Sequence, residues 1–345
     1  MKGFGFLSFG HYRNGSSVGA REMIRDAADI GVGADELGVN GAYFRVHHFA
    51  TQQASPIPLL SAIAAKTRYI EVGTGVIDMR YENPLYLAEE AAALDFIADG
   101  RIALGISRGS PEPADRGWES FGYNGSADPR GADIARDKFD LFLRAIDGEP
   151  IAPAASGGAP LRVEPHAPGL RERIWWGSAS SDTAEWTGRQ GLNLMSSTLV
   201  FSDTARPLHE VQTEQIERYR AAYAAAGHTR PPRVSVSRSI FPVVSAQDAQ
   251  LFAVLGAREG HDGFGMIDGQ TATFGKTYVG EPDQLIEALR ADTAVTAADT
   301  LMLTIPSQLG VDANLRILES FARHVAPELG WKPNTAGPVV GYPAA

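Results

Sequence analysis

Two hydrophobic patterns alternate along the chain. Short, nearly continuous apolar runs at Lys2–Phe9, Ala42–His47, Tyr69–Ile77, Arg101–Ser107, Arg173–Gly177, Leu192–Ser196, Val234–Val244 and Thr300–Ile305 predict strands. Between them, stretches with helical spacing predict helices over Val18–Ile30, Pro58–Lys66, Pro84–Ala98, Ile134–Ile146, Thr183–Gln190, Leu208–Ala226, Gln247–Glu259, Pro282–Leu289 and Asp312–Val325. The clearest is Pro84–Ala98, with proline in its first turn and Gly100 just past its end. The first helix is expected to stop at Ile30, where glycines begin.

Eight strands, each followed by a helix, predict an α/β fold of the (β/α)8 TIM-barrel type. An open doubly wound sheet is the runner-up, because strand count alone does not close a sheet. A barrel of this type needs about 250 residues. The excess is assigned to insertions near 109–133, 149–171 and 260–281, extending loops at the C-terminal face of the strands. A single barrel domain is expected over 1–330, followed by an irregular tail, 331–345.

Composition narrows the function. The formal charge is −10 and the pI about 5.3. An acidic chain without a Lys/Arg run is poorly suited to nucleic acid or an anionic membrane. The absence of cysteine excludes disulfides, thiolate catalysis and Cys-ligated metals. The N-terminus reads as a first strand rather than a signal peptide, and no apolar stretch approaches a membrane span. A cytoplasmic protein is expected.

Catalytic residues of a barrel gather at the strand C-termini. Paired histidines, His47 and His48, end the second predicted strand. Neighbours on a strand point to opposite faces, so at most one can look into a given pocket. Few carboxylates accompany them, which argues against a metal site. Anion-binding groups do collect. "SASSDTAEW", Ser178 to Trp186, places hydroxyls and free backbone N–H groups at a helix start, suited to a phosphate. The plainer reading is a capping box at Asp182–Glu185. "GISRGS" puts Arg108 just beyond a strand, again suited to phosphate or else paired with a nearby acid such as Asp115. "GTG", Gly73–Gly75, lacks the third glycine of a dinucleotide fingerprint. It fits either close backbone approach to a flat ligand or barrel packing.

Together, "HHF", "VGTGVI", "NPLYLAEEAAALDFIADGRIALGISRG", "SASSDTAEWTGRQGL" and "VGEPDQLIEAL" resemble the bacterial luciferase-like superfamily of flavin-dependent oxidoreductases. The resemblance covers most of the chain and is densest over Val46–Gly109. It implies a barrel holding FMN at its mouth, with reduced flavin supplied by a separate NAD(P)H-dependent flavin reductase and O2 used to oxidise a small organic substrate. Carried over by position, His47 falls on the active-site histidine, facing the flavin, which leaves His48 against the barrel wall. Arg108, Ser180, Ser181 and Thr183 fall where the flavin phosphate is gripped. Gly75 and Val76 fall on a non-prolyl cis peptide beneath the ring system. Thr74, Ser107, Ala179 and Ser197 complete the cofactor-binding set, and no metal is implied. The Ala-rich helices 58–66 and 84–98 imply a homodimer.

Two positions depart from the luciferases proper, which carry Glu before the histidines and Cys before the arginine. Here these are Val46 and Ser107. Without that acid His47 lacks one charged neighbour, and light emission is not implied. Competing readings are an F420-dependent dehydrogenase or reductase of the same fold and a non-catalytic flavin-binding protein. A metal-dependent barrel hydrolase is more distant. Loop aromatics Trp118, Phe121, Tyr123, Phe264 and Phe274 fit either an apolar pocket wall or burial of the loops themselves.

Overall fold

A computed structural model describes residues 2–13, 15, 19–109, 112–201, 206–258, 261–267 and 270–337. In chain order its strands and α-helices are β1 (Gly3–Ser8), α1 (Ala20–Glu36), β2 (Gly41–Phe44), α2 (Pro56–Ala64), β3 (Glu71–Asp78), α3 (Pro84–Ile97), β4 (Ile102–Ser107) and α4 (Ala132–Ile146). They continue with β5 (Ile174–Ser178), α5 (Ser181–Arg189), β6 (Asn193–Ser196), β7 (Leu199–Phe201), α6 (Leu208–Ala225), β8 (Val234–Pro242), α7 (Ala246–Arg258), β9 (Gly263–Ile267), β10 (Gln270–Phe274) and β11 (Thr277–Gly280). Last come α8 (Pro282–Ala291), α9 (Thr293–Ala297), β12 (Thr300–Ile305) and α10 (Gly310–His324).

Eight parallel strands, β1-β2-β3-β4-β5-β6-β8-β12, pair in that order, and β12 pairs back with β1. The closed barrel is the expected one, not the open sheet. Every residue of β1 is buried, as a parallel strand covered on both faces requires. The main apolar core lies between strands and helices. A smaller one fills the barrel interior with Leu7, Tyr43, Ala103, Trp175, Met195 and Met302.

The N-terminal floor of the barrel is polar. The Tyr43 hydroxyl donates to Glu71 Oε1 at 2.7 Å, and Arg233 pairs with the same carboxylate at 2.8 and 3.1 Å. Both side chains of that ion pair are about 5% exposed or less, and the guanidinium lies 4.7 Å from the Trp175 ring centroid. Gly73 answers part of the "GTG" question. A Cβ there would strike the Ala103 carbonyl and the Tyr43 ring, so this glycine serves barrel packing.

Several boundaries differ from expectation. Helix α1 does not stop at Ile30 but continues through Gly31 and Gly33 to Glu36. A Cβ at Gly31 would lie 2.9 Å from Ile63, and one at Gly33 2.6 Å from Leu315. The glycines are contact points for α2 and α10 rather than a stop signal. The expected start at Val18 lies outside the described residues, as does the expected α7 end at Glu259. Strand β2 ends at Phe44, three residues before His47. Helix α3 follows the sequence closely: the Asn83 side chain accepts from the Leu85 and Tyr86 N–H groups, and Pro84 occupies the first turn.

The insertions carry unpredicted structure. β9 and β10 form an antiparallel hairpin joined to β7, and β11 lies parallel to the C-terminal half of β8. In the tail, Trp331 is buried against Phe4 and donates from Nε1 to Asn40 Oδ1 at 2.7 Å. Asn334 donates to the Tyr69 carbonyl. Among the described residues no helix is long and apolar enough to cross a membrane.

Candidate functional site

The sequence-predicted site residues lie on β3, at the end of β4, in the loops that follow β2, β4, β5 and β6, and in the first turn of α5. On β3 the register with β4 shifts between Thr74 and Ile77, and the Gly75–Val76 peptide is cis, as the resemblance implied. A Cβ at Gly105 would meet Val76 at 3.0 Å, and one at Gly177 at 2.9 Å. These glycines on β4 and β5 therefore give way to the Val76 side chain, which forms an apolar floor across the top of the barrel interior. Thr74 is fully buried, and its hydroxyl donates to the Gly105 carbonyl at 2.8 Å. That hydroxyl therefore ties β3 to β4.

At the end of β4, the Ser107 hydroxyl accepts from the Gly109 N–H at 2.8 Å. Gly109 has φ +92°, and a Cβ there would collide with the Asp78 carboxylate. Only glycine suits this turn beyond Arg108. Asp78 is itself held by the Arg80 guanidinium in a buried pair, with contacts at 2.6 and 2.9 Å.

Next to β4, the end of β5 leads into α5. Ser178 donates to the Ser180 carbonyl at 2.8 Å, and Ser180 donates to the Thr183 hydroxyl at 3.0 Å. The capping box expected at Asp182–Glu185 is not formed. Ser180 is the N-cap, accepting from the Thr183 N–H, while Asp182 and Glu185 both pair with Arg218 of α6. The helix starts two residues earlier than that reading because Ser180, in extended conformation, already supplies the capping oxygen. The segment after β6 is laced to the same place: the Ser197 N–H donates to the Ser178 carbonyl, and the N–H of Phe201, at the end of β7, to the Ala179 carbonyl. Ala179, Ser180, Ser181, Thr183 and Ser197 are all partly exposed.

Sequence reasoning missed Arg136. From α4 its guanidinium lies 3.9 Å over the Trp186 ring of α5. Its pKa is lowered by burial first, with the charge of Arg108 adding to the effect. Arg136 thus sits between α4 and α5, within electrostatic reach of Arg108, which follows β4. Four residues apart on one helix, Ile134 and Lys138 frame Arg136 in an amphipathic stretch, so nothing local distinguished it.

The histidines differ from expectation. Neither lies on a strand, so alternation does not separate them. Loop hydrogen bonds do: the His47 N–H donates to the Gln53 carbonyl, and Arg45 N–H to the Ser8 carbonyl. His47 is 7% exposed, and its Nδ1 lies 2.7 Å from Glu112 Oε2. The acid missing at Val46 is replaced by one from the loop after β4, which sequence reasoning also missed. His48 does not pack on the barrel wall. It stacks on Tyr81 with centroids 4.1 Å apart, and Phe121 meets it edge-on at 5.3 Å. Burial is the largest of the influences that lower its pKa. Of the loop aromatics, Trp118 is buried against Arg80 and Tyr81, whereas Phe121 is half exposed beside the equally exposed Phe49. No group of three or more His, Cys, Asp or Glu side chains suited to a metal occurs among the described residues.

Comparison with known proteins agrees with this geometry. The family model described as luciferase-like monooxygenase matches residues 3–299. The 4-hydroxyprotoasukamycin monooxygenase of Streptomyces nodosus subsp. asukaensis is 26% identical, covering 85% of this chain and 83% of that one. The oxygenase component of the flavin-dependent trigonelline monooxygenase of Acinetobacter baylyi is 25% identical, covering 64% and 59%. The chain spans little more than half the length of several curated relatives that it matches. Among solved structures, the FMN complex of the oxygenating constituent of 3,6-diketocamphane monooxygenase from Pseudomonas putida superposes with a TM-score of 0.69 at 19% identity, over 95% and 98% of the two chains. The coenzyme F420-dependent tetrahydromethanopterin reductase of Methanopyrus kandleri does so at 0.65 and 14%, over 95% and 99%. With a closed parallel barrel and a family match over most of its length, the chain belongs to the luciferase-like monooxygenase family.

Proposed function

We propose that this protein is an FMN-dependent monooxygenase that takes reduced flavin from a separate NAD(P)H-dependent reductase and uses O2 to oxidise a small organic substrate. The observation that carries the reading is the Ser180-capped start of α5 next to the strand end that bears Arg108, with the apolar Val76 floor on the adjoining strands. Arg108, Ser180 and Thr183 would hold the phosphate, with Ser181 at the helix start. The Gly75–Val76 bulge would support the ring system, flanked by Ser107, Ala179 and Ser197. When bound, reduced flavin supplies the electrons for oxygen activation. His47 would hold or move a proton at the substrate oxygen, and the half-exposed Phe49 and Phe121 would form an apolar wall to the substrate. The cytoplasm is the proposed location.

Arg108→Ala tests the reading. A hydrogen bond to a charged group contributes about 1.5–3 kcal/mol, roughly ten- to a hundredfold in affinity. The variant is expected to bind FMN that much more weakly while binding riboflavin, which lacks the phosphate, as the parent does. Equal losses for both ligands would mean that Arg108 acts only in the fold. The likeness to an F420-dependent reductase supports a second reading in which the anionic cofactor is F420 and oxygen is not used.

The proposal includes a homodimer through α2 and α3. Tyr86, Phe96 and Ile97 of α3 are 69%, 57% and 49% exposed, and large apolar side chains gathered on one helix favour association. Light scattering is expected to give twice the chain mass of 36.9 kDa, and a monomer mass at micromolar concentration would refute it.

A further inference from the structure

Glu112 and His47 come from loops 65 residues apart in sequence, yet they meet with Oε2 and Nδ1 2.7 Å apart and side chains only 3% and 9% exposed. The other charged and titratable groups around them come from three strand ends. His11 follows β1, Arg45 and His48 follow β2, and Asp78 and Tyr81 end or follow β3. The charge of Glu112 bears on Arg45, His48, Asp78 and Tyr81, so its carboxylate sits amid this group. Asp78 is committed to Arg80. Glu112 is therefore the carboxylate that touches the His47 ring.

The two ring nitrogens are left in different situations. Nδ1 faces the carboxylate. Nε2 has no hydrogen bond among the described residues. A carboxylate only accepts hydrogen bonds, so the proton between the two groups belongs on Nδ1. On a neutral ring the bare Nε2 can then accept a hydrogen bond, and on a protonated ring it can donate one.

We propose that Glu112 is a positioning residue, fixing His47 as the Nδ1–H tautomer so that Nε2 is the atom presented to the substrate. This takes over from another loop the charge that Val46 cannot provide. It rests on the reading of His47 as the proton-handling residue, but its primary test does not.

The experiment is nitrogen-15 NMR of histidine-labelled, flavin-free protein with the ring neutral. The parent is expected to show His47 with Nδ1 protonated and Nε2 bare. Glu112→Ala is expected to lose that selection, so that the proton distributes between the nitrogens. Glu112→Gln, whose amide oxygen still accepts, is expected to retain part of it, and it stands in should the alanine variant fail to fold. In turnover with reduced FMN, Glu112→Ala should lose at least about tenfold in rate, within the range of positioned acid–base groups. Its FMN affinity should stay near that of the parent. A parent ring protonated on Nε2, or a tautomer unchanged in folded Glu112→Ala, would overturn the proposal. A parent with the expected tautomer but no turnover on any substrate would support the pairing and count against the functional reading alone.

Discussion

His47→Asn should abolish most product formation while leaving FMN bound. Positioned acid–base groups contribute on the order of a hundred- to ten-thousandfold, so a loss of at least about tenfold is the minimum expected. Asparagine keeps a polar side chain of similar reach but cannot exchange a proton near neutral pH. His47 is nearly buried and held by Glu112 and the Gln53 carbonyl, so the ring is fixed where it would act. His48→Asn is the internal comparison. Its ring stacks on Tyr81, and such pairs contribute about 0.5–1.5 kcal/mol, so this variant should chiefly lose stability. It should also change the response to acid. Burial lowers the folded pKa of His48 below the ordinary 6.5, so the unfolded chain binds the proton first. The parent therefore loses stability as pH falls from about 6.5 towards the lower folded value. His48→Asn should lose less over that interval. Product yield, FMN titration and thermal midpoint for both variants check this. Loss of turnover in stable His48→Asn with His47→Asn unaffected would reverse the assignment.

The second large effect concerns the polar floor of the barrel. Glu71→Ala removes the partner of Arg233 at a site where both side chains are about 5% exposed or less. An uncompensated buried charge costs about 3–5 kcal/mol, and the Tyr43 hydroxyl loses its acceptor as well. Glu71→Leu with Arg233→Met should recover much of that loss, because exchanging a whole buried pair for apolar side chains is often neutral or favourable. Urea unfolding midpoints check both. A Glu71→Ala midpoint within experimental error of the parent would show that water reaches this floor.

These expectations draw unequally on sequence and on tertiary structure. The barrel was legible because eight apolar runs and their intervening helices are local patterns. Asn83-Pro84 and Gly100 mark helix α3 by interactions within a few residues. The glycines of α1 misled because their role is contact with Ile63 and Leu315, far along the chain. The β9–β10 hairpin did carry a local sign, Asp268-Gly269 between two runs rich in aromatic and β-branched residues. At the site, Arg108 and Ser180 stand out because their strand ends and helix start are themselves visible in sequence. Glu112 could be sensed only as an acid in a proline-flanked loop four residues beyond Arg108. Its partner is fixed by how two loops fold over one mouth. Reading His47 and His48 by strand alternation failed because β2 ends before both.

The mouth of this barrel is proposed to hold reduced FMN by its phosphate. Anaerobic titration of the protein with reduced FMN, reduced riboflavin and reduced F420, side by side, tests it most directly. Saturable binding of reduced FMN is expected, with much weaker binding of riboflavin and none of F420 in the same range. Binding of F420 in preference to FMN, or indifference between FMN and riboflavin, would contradict it.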